Sequence, residues 1–113
     1  MSQELYKKVY VACVEFAVYN KKNILENAEK FWPLLNEFIN EFLKENIYGI
    51  NEEDYQLLQQ LLINILNDMV QAMDNRDSVL MADTVEYGLR EFLELFFDEE
   101  EVMLLKREAG LSE

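Results

Sequence analysis

Apolar residues recur along this chain at intervals of three and four, the spacing of a helix face, over nearly its whole length. From residue 3 to about 20, Leu5, Val9, Ala12, Cys13 and Phe16 form such a stripe, widened by Tyr6, Tyr10, Val14 and Val18. The centre of this segment, VYVACVEFAVY, is rich in β-branched and aromatic residues and also fits a strand, so both readings stand for residues 9 to 19. A polar link from Asn20 to Asn23 follows. Asn23, with Glu26 three residues on, has the form of a capping box and opens a second helix reaching about Glu45. Its stripe of Ile24, Ala28, Phe31, Leu35, Phe38 and Phe42 alternates steps of four and three, as a seam between helices requires. Pro33 lacks a backbone donor and crowds the carbonyl four residues earlier, which predicts a kink at about Glu29 to Trp32 or a fresh start at Pro33.

The third helix has the fullest set of signals. Asn51 caps it, Glu52, Glu53 and Asp54 fill the first turn where the helix dipole favours anions, and Tyr55, Leu58, Leu62, Ile65, Met69 and Ala72 form the seam. Asp74 to Asp77 is a tight connection, so a fourth helix, about residues 78 to 97, is expected to fold back antiparallel with Met81, Val85, Gly88, Leu89, Phe92 and Phe96 inward. A short fifth helix is capped by Asp98 with Glu101 at the third position. Lys106 and Arg107 fall in its last turn, and Gly110 is placed to close it in a left-handed conformation. The predicted fold is a single all-α domain over residues 1–113, an antiparallel four-helix bundle with an additional short C-terminal helix. Three glycines and one proline among 113 residues support few, long elements over a many-stranded β domain.

Charge divides the chain. Residues 1 to 50 carry 7 acidic and 6 basic side chains, whereas residues 51 to 113 carry 16 acidic and 4 basic ones, so nearly all of the net charge of −13 lies in the second half. Such a field favours cationic partners and opposes binding to nucleic acid, whose affinity rests on neutralising phosphates, or to anionic membrane. The one cysteine, Cys13, sits in an apolar run and reads as a buried reduced thiol; with no histidine in the chain it has no imidazole base. The opening residues Met1 to Glu4 do not form a secretory signal and no apolar run reaches membrane-spanning length, so a cytoplasmic protein is expected.

Candidate chemistry is sparse. Glu26 with Glu29 and Asp83 with Glu86 are two carboxylate pairs at helical spacing, which would face each other if the second and fourth helices were neighbours. That pattern is similar to the magnesium-holding acidic motifs of all-helical nucleotide pyrophosphohydrolases. Capping accounts for Glu26, however, and Glu86, Arg90 and Glu94 form an i, i+4 ladder expected to turn its face to solvent. There is no nucleotide-binding glycine loop and no nucleophile elbow. No catalytic residue, metal ligand or cofactor is therefore assigned. The aromatic residues are more informative. Phe31 and Trp32 are adjacent, as are Phe96 and Phe97, and adjacent helical side chains point about 100° apart. They cannot all enter one core, which makes Trp32, Phe96 and Phe97 the candidate partner-binding residues and predicts that the fifth helix covers one of the last two rings.

The stretch Met73 to Leu89, MDNRDSVLMADTVEYGL, resembles a segment found in small uncharacterised acidic helical proteins of bacteria, and no activity follows from that likeness. In general plan the chain is also similar to flagellar export chaperones, which implies an apolar groove that holds the helical end of another protein. The expected function is thus a non-enzymatic protein–protein interaction domain of the bacterial cytoplasm, a chaperone or adaptor binding a partner helix, or a homodimer. The alternative is an acidic inhibitor or immunity protein neutralising a basic partner; a magnesium-dependent nucleotide pyrophosphohydrolase is more remote.

Overall fold

A computed structural model describes residues 3–19 and 23–111. Among them there is no strand, and five helices follow in order: α1 (Gln3–Ala17), α2 (Ile24–Lys44), α3 (Glu52–Asp74), α4, and α5 (Glu99–Leu111). The fourth is composite, with an α-helical start (Ser78–Asp83), a π-helical stretch (Thr84–Arg90) and an α-helical close (Glu91–Glu94). The run that also fitted a strand is helical. Its residues up to Ala17 stand in α1, where Leu5, Tyr6, Val9, Ala12 and Cys13 are buried together on one face, whereas Val18 and Tyr19 follow the helix end and are exposed. Packing of that stripe outweighs the local β preference, which is weaker than burial in deciding such segments.

Pro33 neither ends nor restarts α2, which is unbroken from Ile24 to Lys44. The proline ring is exposed, and the seam is fully realised beneath it, with Ile24, Ala28, Phe31, Leu35, Phe38 and Phe42 all buried. The capping box expected at Asn23 does not form, because its side chain accepts no cap hydrogen bond. The Asn23 amide instead donates to Glu15 Oε2 at 3.0 Å, and Asn27 donates to the same oxygen at 2.7 Å. Glu15 thus ties the end of α1 to the start of α2 and holds the Asn23 side chain in an orientation that leaves its Oδ1 buried without a partner. Asn20, Lys21 and Lys22, the rest of the polar link, lie outside the described residues.

Local signals succeed where nothing distant competes for them. Asn51 Oδ1 accepts the Asp54 amide at 2.9 Å, and Asp98 Oδ1 accepts the Glu101 amide at 2.8 Å while Glu101 reaches back to the Asp98 amide at 3.3 Å. Between α2 and α3, Gly49 takes φ +66°, the left-handed region that a residue without a Cβ enters freely. Asn46 closes this loop by accepting the Ile50 amide at 3.0 Å, and the Tyr55 hydroxyl donates to the Phe42 carbonyl, joining the start of α3 to the end of α2.

The α3–α4 connection is tighter than its sequence announces. The Asp77 amide bonds the Ala72 carbonyl at 2.8 Å and the Arg76 amide bonds Met73 at 3.2 Å, the paired bonds of a Schellman closure with Arg76 in the left-handed position at φ 49°. Asp77 then caps α4 through the Leu80 amide at 3.0 Å. The fourth helix doubles back along the third, so that Gly88 lies where an added Cβ would stand 3.2 Å from Ile65 Cγ1. Near its end, α4 stops at Glu94, earlier than the pattern predicted. Three-residue bonds from Leu95, Phe96 and Phe97 to Phe92, Leu93 and Glu94 tighten the last turn, and the chain changes direction before Asp98.

One core runs through all five helices. At one end of the molecule Phe38, Phe42, Phe92, Phe96, Tyr48 and Tyr55 form an aromatic cluster, with Tyr48 and Phe96 centroids 4.7 Å apart. Helix α5 docks mainly on α1, burying Leu105 and Ala109 and pairing Glu108 with Lys7. Gly110 lies inside α5 rather than closing it, without a positive φ.

Two stability outcomes follow. Leu62 is fully buried and Leu61 beside it is 44% exposed, so Leu62→Ala should cost about 2–5 kcal/mol in urea denaturation and Leu61→Ala less than about 1 kcal/mol. Equal losses would place the α3 seam elsewhere. Arg76→Gly should raise stability by roughly 0.5–1 kcal/mol, because a left-handed non-glycine residue costs about that much or more; a lower urea midpoint would contradict the closure.

Candidate functional site

Phe31 is 1% exposed, and the 100° step to the next residue carries Trp32 out of the core. Trp32, the single tryptophan of the chain, is 40% exposed and stands at the edge of a cavity of about 310 Å3 between α2, α3 and α4. Helix α2 contributes Ala28, Glu29 and Trp32, α3 contributes Met69, Val70, Met73 and Asp74, and α4 contributes Met81. Ala28, Met69 and Met81 are buried and form the floor, while Val70 is 49% exposed at the rim. Three methionines line one small hollow. Their unbranched, polarizable side chains adapt to irregular apolar surfaces, a property used where one surface must accept varied side chains. Two carboxylates and no cation complete the lining, and no nucleophile or imidazole is present.

Phe96 and Phe97 stand elsewhere. Phe96 packs on Phe38, Phe42, Tyr48 and Phe92 and lines a second, wider hollow of about 590 Å3 with Ile50, Leu57, Leu58 and Leu95. Phe97 packs edge-on against Tyr6 of α1, with ring centroids 5.7 Å apart. The tightened end of α4 thus sends two adjacent rings to different neighbours. The three aromatic candidates do not share a site.

A polar cluster that the sequence pattern placed at the surface lies between α4 and α1. Arg90 Nη2 donates to Glu86 Oε1 and Nη1 to Glu94 Oε2, each at 2.7 Å, and the guanidinium is only 17% exposed. The Tyr6 hydroxyl donates to Glu94 Oε2 at 2.5 Å. Lys106 Nζ sits 3.9 Å from the same oxygen and 5.6 Å over the Tyr10 ring. The expected outward ladder therefore faces α1. Burial alone would lower the Arg90 pKa, but the two carboxylates outweigh it and hold the guanidinium charged above its ordinary range. Its Nε is buried without a partner. Burial, reinforced by Glu94, raises the Tyr6 phenol, and burial, reinforced by the Glu86 charge, raises the Cys13 thiol. Both groups are thereby kept neutral, so Cys13 has the environment of an inert thiol.

Glu86 is committed to Arg90 on the α1 side, and Glu29 lies at the Trp32 cavity. The two carboxylate pairs do not converge, and among the described residues no group of three or more acidic or cysteine side chains is arranged to hold a metal ion. No described helix is long and apolar enough to cross a membrane. Comparison of the chain with protein-family models, curated proteins and solved structures finds no significant match.

The polar cluster makes stability fall in alkali. Above about pH 9 the unfolded chain releases the Cys13 and Tyr6 protons near their ordinary values, while the fold retains them. The unfolded state then binds fewer protons, and stability decreases with rising pH. Urea midpoints measured from pH 8 to 11 should decline, and Tyr6→Phe should flatten the portion near pH 10; parallel profiles for the two proteins would contradict this origin.

Proposed function

We propose that this chain is a non-enzymatic interaction protein, an adaptor or chaperone that holds a helical segment of another protein, and that its four longer helices make an antiparallel bundle serving as the scaffold. The observation that carries this reading is the partly exposed Trp32 over a methionine floor. A pocket of about 310 Å3 has room for one or two apolar side chains, the anchors that a docked helix presents from successive turns. Large aromatic residues at the edge of such a hollow supply most of the contact energy in helix recognition. The walls are helices α2 and α3, so the docking surface is rigid and needs little ordering when a partner arrives. A hollow of about 280 Å3 also opens at the Arg90 cluster, lined by Cys13, Glu86, Arg90 and Lys106, but Glu86 is paired with Arg90 and the raised Cys13 thiol is a poor nucleophile.

A synthetic amphipathic helix with leucines at i, i+3, i+4 and i+7 and no tryptophan tests the site directly. Its titration should shift Trp32 emission to the blue and saturate. Val70→Glu, at a half-exposed lining position, should abolish the shift while leaving the far-ultraviolet circular dichroism unchanged. A Trp32 spectrum that does not respond, or a response that survives Val70→Glu, would remove the groove from consideration.

A further inference from the structure

We infer that the segment seated at the Trp32 groove is a cationic amphipathic helix, with lysines or arginines flanking its apolar stripe on both sides; this rests on the groove reading proposed above. The lining itself carries the inference. Glu29 comes from α2 and Asp74 from α3, so the two carboxylates stand on opposite walls of an otherwise apolar hollow. Neither is matched by a cation within the lining. Lys30, the neighbour of Glu29 in sequence, lines a separate hollow on the α1 side with Lys7 and Lys8, turned away from the groove. The described ion pairs of Lys7, Arg90 and Lys106 are made to Glu108, Glu86 and Glu94, none of which lines the groove.

An apolar stripe alone would fit this floor, but a helix seated between two acidic walls gains from positive charge on each flank and loses from negative charge there. The rest of the molecule acts in the same direction. A net charge of −13 speeds the approach of a cationic segment and slows that of an anionic one. A second copy of this chain brings the same excess of negative charge, so a basic partner is favoured over a second copy.

Three peptides separate the charge inference from the groove reading. All carry the same leucine stripe and lack tryptophan, and their flanking positions hold lysine, glutamine or glutamate. With Trp32 emission as the readout, the lysine peptide should bind about five- to tenfold more tightly than the glutamine peptide at low ionic strength, with the glutamate peptide weakest. The advantage should shrink as salt rises from about 20 to about 200 mM, where screening shortens to roughly 7–8 Å. In the Glu29→Gln/Asp74→Asn variant the lysine advantage should fall to about twofold or less while the glutamine peptide keeps its affinity; both positions are exposed, and circular dichroism checks that the variant folds. Equal binding of lysine and glutamine peptides overturns the charge inference and leaves the groove standing. A lysine preference that persists in the variant assigns it to overall charge and overturns it too. Silence of Trp32 toward all three peptides removes the groove reading and the inference together.

Discussion

The packing of this molecule depends on how α4 serves two helices at once. Its π-helical stretch, Thr84–Arg90, contacts both α1 and α3. On the α3 side Gly88 brings backbone close to Ile65; on the α1 side Glu86 and Arg90 meet Cys13 and Tyr6. A π-turn inserts one residue into a helix and widens the face it can bury, and here Thr84, Val85 and Leu89 are all buried within it. With α3 and α1 both held by α4, α5 has a formed surface on α1 to dock against, and the aromatic end is closed by Phe92 of the following turn.

Charge is organised around the same element. Most carboxylates are exposed and distributed over the surface, where they repel one another weakly. Arg90 is different because its guanidinium is largely covered and its charge is balanced there by Glu86 and Glu94. Removing one partner from a buried pair costs far more than the pair contributes relative to an apolar substitute. Through the Tyr6 hydroxyl on Glu94 the cluster also ties α1 to α4.

Helix existence and the buried faces were legible in the sequence, because a seam such as Ile24 to Phe42 repeats one physical requirement at every turn. Caps were legible where the partner is local, as at Asn51 and Asp98, and misleading at Asn23, whose amide is taken by Glu15 from another helix. The Schellman closure was hidden because Arg76 occupies a position where glycine is the usual signal. The π-stretch was hidden because a 3.6-residue template has no place for an extra residue. Of the candidate site, Trp32 could be read from its place next to a seam phenylalanine. Met69 and Met81 could not, since both also satisfy the seam, and only the arrangement of α2 against α3 and α4 brings them under the indole. The ladder Glu86, Arg90, Glu94 was legible as spacing, but nothing local indicates the tyrosine on α1 that draws it inward.

The junction between α3 and α4 has a consequence for how such a chain can vary. Asp77 supplies both the amide that completes the end of α3 and the carboxylate that begins α4, so one residue belongs to two punctuation signals. There is no spare position between them. An inserted or deleted residue at this point would separate the stop from the start and would also rotate every following side chain of α4 by about 100°, carrying Arg90 away from Tyr6. A change of length in this chain would have to be absorbed elsewhere, for instance in the loop between α2 and α3.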